Sequence, residues 1–226
     1  MRKLVLFDFD GTLADTAPDL ALAANQQRER QGLPPLPYEQ LRPMASQGAR
    51  GLLRVALGLV PEDPNYEAHR LQFLADYESC MNQHAALFPG VRELLDTIHN
   101  HGHAWGIVTN KLEYLARPII RHLGLETESA AIVGGDTAGH AKPHPAPLLY
   151  AAQQAGFEPH DCLYVGDDAR DIVAGKAAGM PTIAIRYGYG CPEEIPDWQA
   201  DAVADSPADI WQAVQKLSAA SNKGTA

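Results

Sequence analysis

Positive charge is scarce in this chain. Its 226 residues carry 18 Lys and Arg against 28 Asp and Glu, a formal net charge of −10. Nucleic-acid binding runs on basic surface, so that class of partner is excluded. An acidic surface also repels small anions, and an anion site here needs its own local cation. Cysteine is equally sparse. Cys80, Cys162 and Cys191 are odd in number and far apart. They form neither a disulfide framework nor a zinc-ligand spacing, which points to a reducing compartment, the cytoplasm. No apolar run approaches the length of a membrane span. The first run, Leu4–Phe7, stops at Asp8, too short for the core of a signal peptide. Hydrophobic residues still make up 46% of the chain, enough for a sizeable core in one large domain or one domain carrying an insert.

What is present is a regular alternation. Short apolar runs at Leu4–Phe7, Ala104–Val108, Ala131–Val133, Cys162–Val165 and Thr182–Ile185 read as strands buried on both faces. Helical patterns lie between them, at about 91–101, 112–123, 145–155 and 169–178. Gly102, Gly124, Gly156 and Gly179 follow these helices, where a left-handed residue is wanted. The alternation predicts crossover units and a mostly parallel α/β sheet. Pro118 predicts a kink or a late start in its helix. One block breaks the pattern. Between Asp15 and Leu87 there is no buried-strand run, only helical stretches at 16–31, 48–57 and 65–83, the first two joined by the proline-rich "GLPPLPYEQLRP". Such a block, directly after the first strand, suits a lid. The tail from Asp201 reads as a short strand and a helix from Pro207, then small polar residues after Ser218.

Ligands bind beyond the carboxyl ends of the strands of a parallel sheet. The first strand ends in Asp8 and Asp10, the second in Thr109-Asn110, the fourth in Gly166-Asp167-Asp168 with Asp171 a turn later; Lys142 precedes the helix after the third. Topology therefore delivers all of them to one edge. Three carboxylates there repel one another, by roughly 4 kcal/mol per pair at about 4 Å and an effective dielectric of 20. A hard, oxygen-seeking Mg²⁺ relieves that repulsion. The same groups suit phosphoryl transfer: Asp8 as nucleophile, Asp10 as acid and base, the Thr109 hydroxyl on phosphoryl oxygens, and Lys142 as the local cation. Asp168 reads as a helix cap. His99, His101 and His103 straddle a helix end, where histidines are favourable without a metal. His140 and His144 read as solvated loop residues.

"DFDGTLADT", "VTN", "KPHP" and "VGDDARD" resemble, in content and order, the four motifs of the haloacid dehalogenase superfamily of phosphatases. The resemblance implies a Rossmann-like core of residues 1–14 and 85–226, with a helical cap over 15–84. It implies Asp8, Asp167 and the backbone oxygen of Asp10 as Mg²⁺ ligands, Asn110 beside the substrate, and Asp171 as an outer partner orienting Lys142 or a metal-bound water. It implies a small-molecule phosphate monoester as substrate, with neither nucleic acid nor membrane as partner. Dehalogenation is excluded, since dehalogenases lack the second aspartate and Asp10 is present. A cap-lysine Schiff base is excluded because no lysine occurs between Lys3 and Lys111. Phosphomutase chemistry stays open, as does a non-catalytic binding role. The whole-chain pattern is most similar to the phosphoglycolate phosphatase group. "GAR" (48–50) and "RYGYG" (186–190) resemble a subgroup that dephosphorylates N-acetylmuramic acid 6-phosphate. Arg50 suits a second anionic group in either substrate.

Overall fold

The apolar runs become strands for the reason that predicted them: no position in Leu4–Phe7, Ala104–Val108 or Cys162–Gly166 escapes burial. The computed structural model describes residues 2–221. The strands are β1 (Leu4–Phe7), β2 (Ala14–Asp15), β3 (Ala86–Leu87), β4 (Ala104–Val108), β5 (Ile132–Val133), β6 (Cys162–Gly166), β7 (Thr182–Ile185) and β8 (Ala202–Ala204). The helices are α1 (Ala17–Arg30), α2 (Tyr38–Leu41), α3 (Gly48–Leu57), α4 (Tyr66–Cys80), α5 (Val91–Asn100), α6 (Glu113–His122), α7 (Ala146–Ala155), α8 (Ala169–Ala177), α9 (Ile195–Trp198) and α10 (Pro207–Ser221). The polar tail at 222–226 lies outside the described residues. Among the described residues no helix is long and apolar enough to cross a membrane.

Two compact units divide the chain, one of residues up to Leu13 and from Leu87, the other of Ala14–Ala86. The first unit holds the main sheet, six parallel strands in the order β5-β4-β1-β6-β7-β8. The chain fills one side of β1 with β4 and β5, then crosses to the other side for β6, β7 and β8. β1 therefore stands at the switch point, where the diverging connections open a crevice at the carboxyl edge. Gly156 ends α7 at φ +74°, and Gly102, Gly124 and Gly179 close α5, α6 and α8 in the same left-handed way.

The second unit is helical, with α1 packed on α3 and α4. Polar groups pin it internally. Asp76, 5% exposed, accepts both guanidinium nitrogens of Arg30 and the amides of Gln27 and Gln72. Burial raises the Asp76 carboxyl, but these donors outweigh it and hold the group below the usual carboxylate range. Asp19, fully buried, accepts the backbone N–H groups of His84 and Ala85 and faces His84 Nδ1 at 2.7 Å.

Three local features go beyond the expectations. Helix α6 starts at Glu113 and runs through Pro118 rather than starting late. The carbonyl that Pro118 leaves without its helical donor belongs to Tyr114, which is 49% exposed, so water can satisfy it. The proline-rich connector holds the short helix α2 and a 3₁₀ turn at Arg42–Gln47. The helical block is also flanked by two short strands, β2 and β3, which pair with each other.

Candidate active site

Strand register sets the site. Phe7 lies level with Ile107 on one side and Val165 on the other, and the Asp8 N–H donates to the Val165 carbonyl at 2.9 Å. The residues that follow these three strands therefore leave the sheet together. Carboxylate oxygens of Asp8, Asp167 and Asp171 lie within 4.8 Å of one another. Glycines make the approach possible. A Cβ on Gly166 would fall 2.2 Å from Asp171 Oδ2, and one on Gly11, at φ +88°, 2.3 Å from Asp167 Oδ2.

Lys142 enters this acidic cluster and is almost fully buried. Its Nζ lies 2.7 Å from Asp171 Oδ1 and 2.9 Å from Asp8 Oδ1. It also donates to the Tyr164 hydroxyl at 2.7 Å and the Val108 carbonyl at 3.0 Å. Tyr164 in turn donates to Val108 at 2.8 Å. Four acceptors surround three ammonium protons, which holds the head group in place. Asp8 Oδ1 also accepts the Phe9 N–H at 2.7 Å, while Oδ2 accepts no hydrogen bond among the described residues. Asp171 spends both oxygens, one on Lys142 and the other on the Asp168 N–H.

The electrostatics follow from burial. Desolvation pushes the Asp8 carboxyl well up; Lys142 pulls it down, and the charges of Asp171 and Asp167 push it up again. Asp167 is pushed up to about 7 by burial and by Asp171, against the Tyr189 N–H and the Thr12 hydroxyl that stabilise its anion. Burial pulls Lys142 down, but Asp171 and Asp8 outweigh it and hold the ammonium above its usual range. Two carboxylates, Asp167 buried and Asp8 partly so, therefore lack sufficient positive charge. All the donors are oxygens, the chemistry of a hard divalent cation, and the residues fit Mg²⁺ on that ground.

The other expected residues take clear places. Asp10, half-buried, meets Lys111 Nζ at 2.7 Å. Thr109 is buried, and its Oγ1 accepts the Lys111 N–H at 3.1 Å. Asn110, expected beside the substrate, holds the Lys142 backbone with its side-chain amide, donating to the carbonyl at 2.9 Å and accepting the N–H at 2.8 Å. Asp168 caps α8 in a capping box with Asp171 and grips the Arg170 guanidinium. Arg50 is the third residue of α3, exposed, in the helical unit. His101 and His103 pack on the Trp211 ring, and His103 Nδ1 accepts the Lys3 N–H. His140 and His144 are exposed and stacked.

Sequence reasoning missed Lys111 and Tyr164. Lys111 sits directly after Thr109-Asn110, where a cation three residues past the end of β4 was a usable signal. Tyr164 is the one hydroxyl in an otherwise apolar strand, fully buried, where a phenol needs a partner.

A parallel sheet with an aspartate cluster and a buried lysine at its carboxyl edge defines an α/β enzyme of the acid-cluster kind. Residues 5–185 match the haloacid dehalogenase-like hydrolase family. The chain is 44% identical over 211 residues to a phosphoglycolate phosphatase of Xanthomonas campestris, covering 93% of this chain and 95% of that one. It is 42% identical over 209 residues to an N-acetylmuramic acid 6-phosphate phosphatase of Pseudomonas aeruginosa, covering 92% of each. Among solved structures, a predicted phosphoglycolate phosphatase from Haemophilus somnus shares 30% identity with a TM-score of 0.82, over 94% of this chain and 98% of that one. The chain belongs to the haloacid dehalogenase-like hydrolase family, as its four ordered motifs indicated.

Proposed function

We propose that this protein is a Mg²⁺-dependent phosphomonoesterase that works through an aspartyl-phosphate on Asp8, with a small phosphate monoester of the phosphoglycolate type as substrate. The observation that carries the reading is the Lys142 ammonium set between Asp8 and Asp171, with Asp167 beside them. Residues 14–86 serve as the cap and the remainder as the catalytic core. Three free thiols suit a reducing compartment, and we place the enzyme in the cytoplasm.

Asp8, Asp167 and the main-chain oxygen of Asp10 would hold Mg²⁺, which when bound supplies positive charge against the repulsion between a carboxylate and a phosphate dianion. Asp8 attacks phosphorus through the oxygen left free of hydrogen bonds; the bond from phosphorus to the leaving oxygen breaks, and Asp10 gives that oxygen its proton. Water then attacks phosphorus as Asp10 takes back a proton, and the bond to Asp8 breaks to release phosphate. Thr109 Oγ1 uses a lone pair on the Lys111 N–H, so its own proton is available for a phosphoryl oxygen. Lys142 neutralises both the nucleophile and the phosphate. Asn110 acts through Lys142 by bracing its backbone, and Lys111 orients the Asp10 carboxylate.

A second reading, an N-acetylmuramic acid 6-phosphate phosphatase, is favoured by the relative of that name at 42% identity. Hydrolysis of p-nitrophenyl phosphate with Mg²⁺ or with chelator tests the class; no turnover with any divalent metal rejects it. Comparing kcat/KM for phosphoglycolate, N-acetylmuramate 6-phosphate, glucose phosphates and pyrophosphate tests the substrate. Equal weak rates on all of them reject both named substrates.

A further inference from the structure

We propose that Tyr187–Gly190, a segment outside the four motifs, is a mould that fixes the Asp167 carboxylate for metal capture, with Tyr187 and Gly188 as its positioning residues. The inference rests on the metal-dependent reading above. Asp167 is 1% exposed and is held from two sides. Its Oδ1 accepts the Thr12 hydroxyl at 2.8 Å, and its Oδ2 accepts the Tyr189 N–H at 2.8 Å. Each oxygen thus keeps a lone pair for a cation, and the carboxylate plane cannot swing without losing a hydrogen bond.

The glycines of the segment press on the same residue. A Cβ on Gly188 would fall 2.3 Å from Asp167 Cβ and 2.6 Å from Oδ2; one on Gly190 would fall 2.2 Å from the Asp167 carbonyl oxygen. Neither glycine is in the left-handed region, so backbone conformation would admit another residue at both positions. Closeness to Asp167 is what excludes a side chain. Gly11 also presses on this carboxylate, where a Cβ would fall 2.3 Å from Oδ2.

The segment is itself anchored. The Tyr187 hydroxyl donates to the Thr12 carbonyl at 3.0 Å, and the Tyr187 ring packs on Phe88 with centroids 5.2 Å apart. The Tyr189 ring lies 6.4 Å from the same phenylalanine. The loop after β7 and the loop after β1 are therefore bonded to each other, with Asp167 between them. Groups that orient a ligating carboxylate set metal affinity without touching the metal.

The test is calorimetric titration of Mg²⁺ into metal-free wild type, Gly188→Ala and Tyr187→Phe, beside thermal unfolding of each protein in chelator. Gly188→Ala is expected to weaken Mg²⁺ binding by about 10–100-fold, and Tyr187→Phe to weaken it less, the range seen when partners of ligating residues are lost. A merely structural role would lower the unfolding temperature and leave Mg²⁺ affinity unchanged in both variants, and that result overturns the proposal. If Gly188→Ala does not fold, Tyr187→Phe decides alone: unchanged affinity overturns, weakened affinity supports. Wild type that binds no Mg²⁺ removes the metal reading as a whole, whereas wild type that binds with variants equal to it removes only the mould.

Discussion

Lys142→Met keeps the length of a buried side chain and removes the ammonium that pairs Asp8 at 2.9 Å and Asp171 at 2.7 Å. Unit charges at about 2.8 Å and an effective dielectric of 20 attract by roughly 6 kcal/mol. Desolvation cancels much of that, and orphaning one partner of a buried pair costs about 3–5 kcal/mol in practice. The folded protein escapes by protonating one of the two carboxyls left without their cation, Asp8 or Asp171. Keeping an ordinary carboxyl protonated costs about 1.4 kcal/mol per pH unit above its pKa, roughly 5 kcal/mol at about pH 7.5 and 2 kcal/mol at about pH 5.5. The loss is therefore about 3–5 kcal/mol near pH 7.5 and at most about 2 kcal/mol near pH 5.5. The sign follows from linkage: a carboxyl whose folded pKa is raised favours the native state increasingly as pH falls, and burial already raises Asp8 with Lys142 present. At about 2–4 °C per kcal/mol for a chain of this size, the variant should melt about 6–20 °C below wild type near pH 7.5 and at most about 8 °C below near pH 5.5. Thermal unfolding of both proteins in chelator reads this directly. A deficit that stays constant or widens on acidification refutes the reasoning, because neither carboxyl paired with Lys142 would then carry the uncompensated charge.

The converse substitution, Asp8→Asn, should abolish turnover yet raise the unfolding temperature of the metal-free protein near neutral pH, because it removes a carboxyl that burial pushes well up. The amide oxygen can keep both the Phe9 N–H and Lys142; a lowered melting point, or near-normal turnover, counts against the proposed role of this carboxylate. In the helical unit, Asp76 titrates below the usual range, so its stabilisation is complete above about pH 4 and is lost as pH falls through the lowered folded value. Urea unfolding of wild type and Asp76→Asn should show a gap that narrows from about pH 5 to pH 3; a gap of constant width would show that the charge of Asp76 is not what its donors stabilise.

Much of this was legible because the strands are buried on both faces. A run such as Leu4–Phe7 has no polar face to obscure it, and the first polar residue after it, Asp8, marks both the sheet edge and the chemistry. Thr109 and Asp167 were found in the same way. What was not legible depends on which strands are neighbours. Tyr164 matters because β6 lies against β1, which brings its hydroxyl to Lys142 and to Val108 of β4; spacing along the chain contains no trace of that. The Asn110 contacts with the Lys142 backbone were illegible for a related reason. A polar residue at a strand end reads as a substrate contact; the 140s loop returns to the same place, and its backbone takes the amide. The helices α2 and α9, four residues each, fall below the length at which periodicity can be read. Arg50 could be placed on its helix, and nothing in its sequence neighbours fixes what it meets.

The site is built against its own stability. A carboxylate is a poor nucleophile when protonated, yet burial pushes both Asp8 and Asp167 toward the protonated form. One lysine cannot offset three acidic groups, and its own ammonium is already shared with a phenol and a carbonyl. Making the site more exposed would solve the stability problem and remove the advantage, because charges act weakly on a reacting phosphate when water screens them. Adding a second buried lysine would neutralise the cluster permanently and leave no affinity for a divalent cation. An excess of buried negative charge, tolerable because protons can occupy it in the metal-free protein, is the arrangement that leaves the carboxylates ready to exchange those protons for a cation. On the proposed metal-dependent reading, Mg²⁺ uptake should therefore release protons near neutral pH, and the orientation of Asp167 by the loop after β7 becomes as consequential as the carboxylate itself.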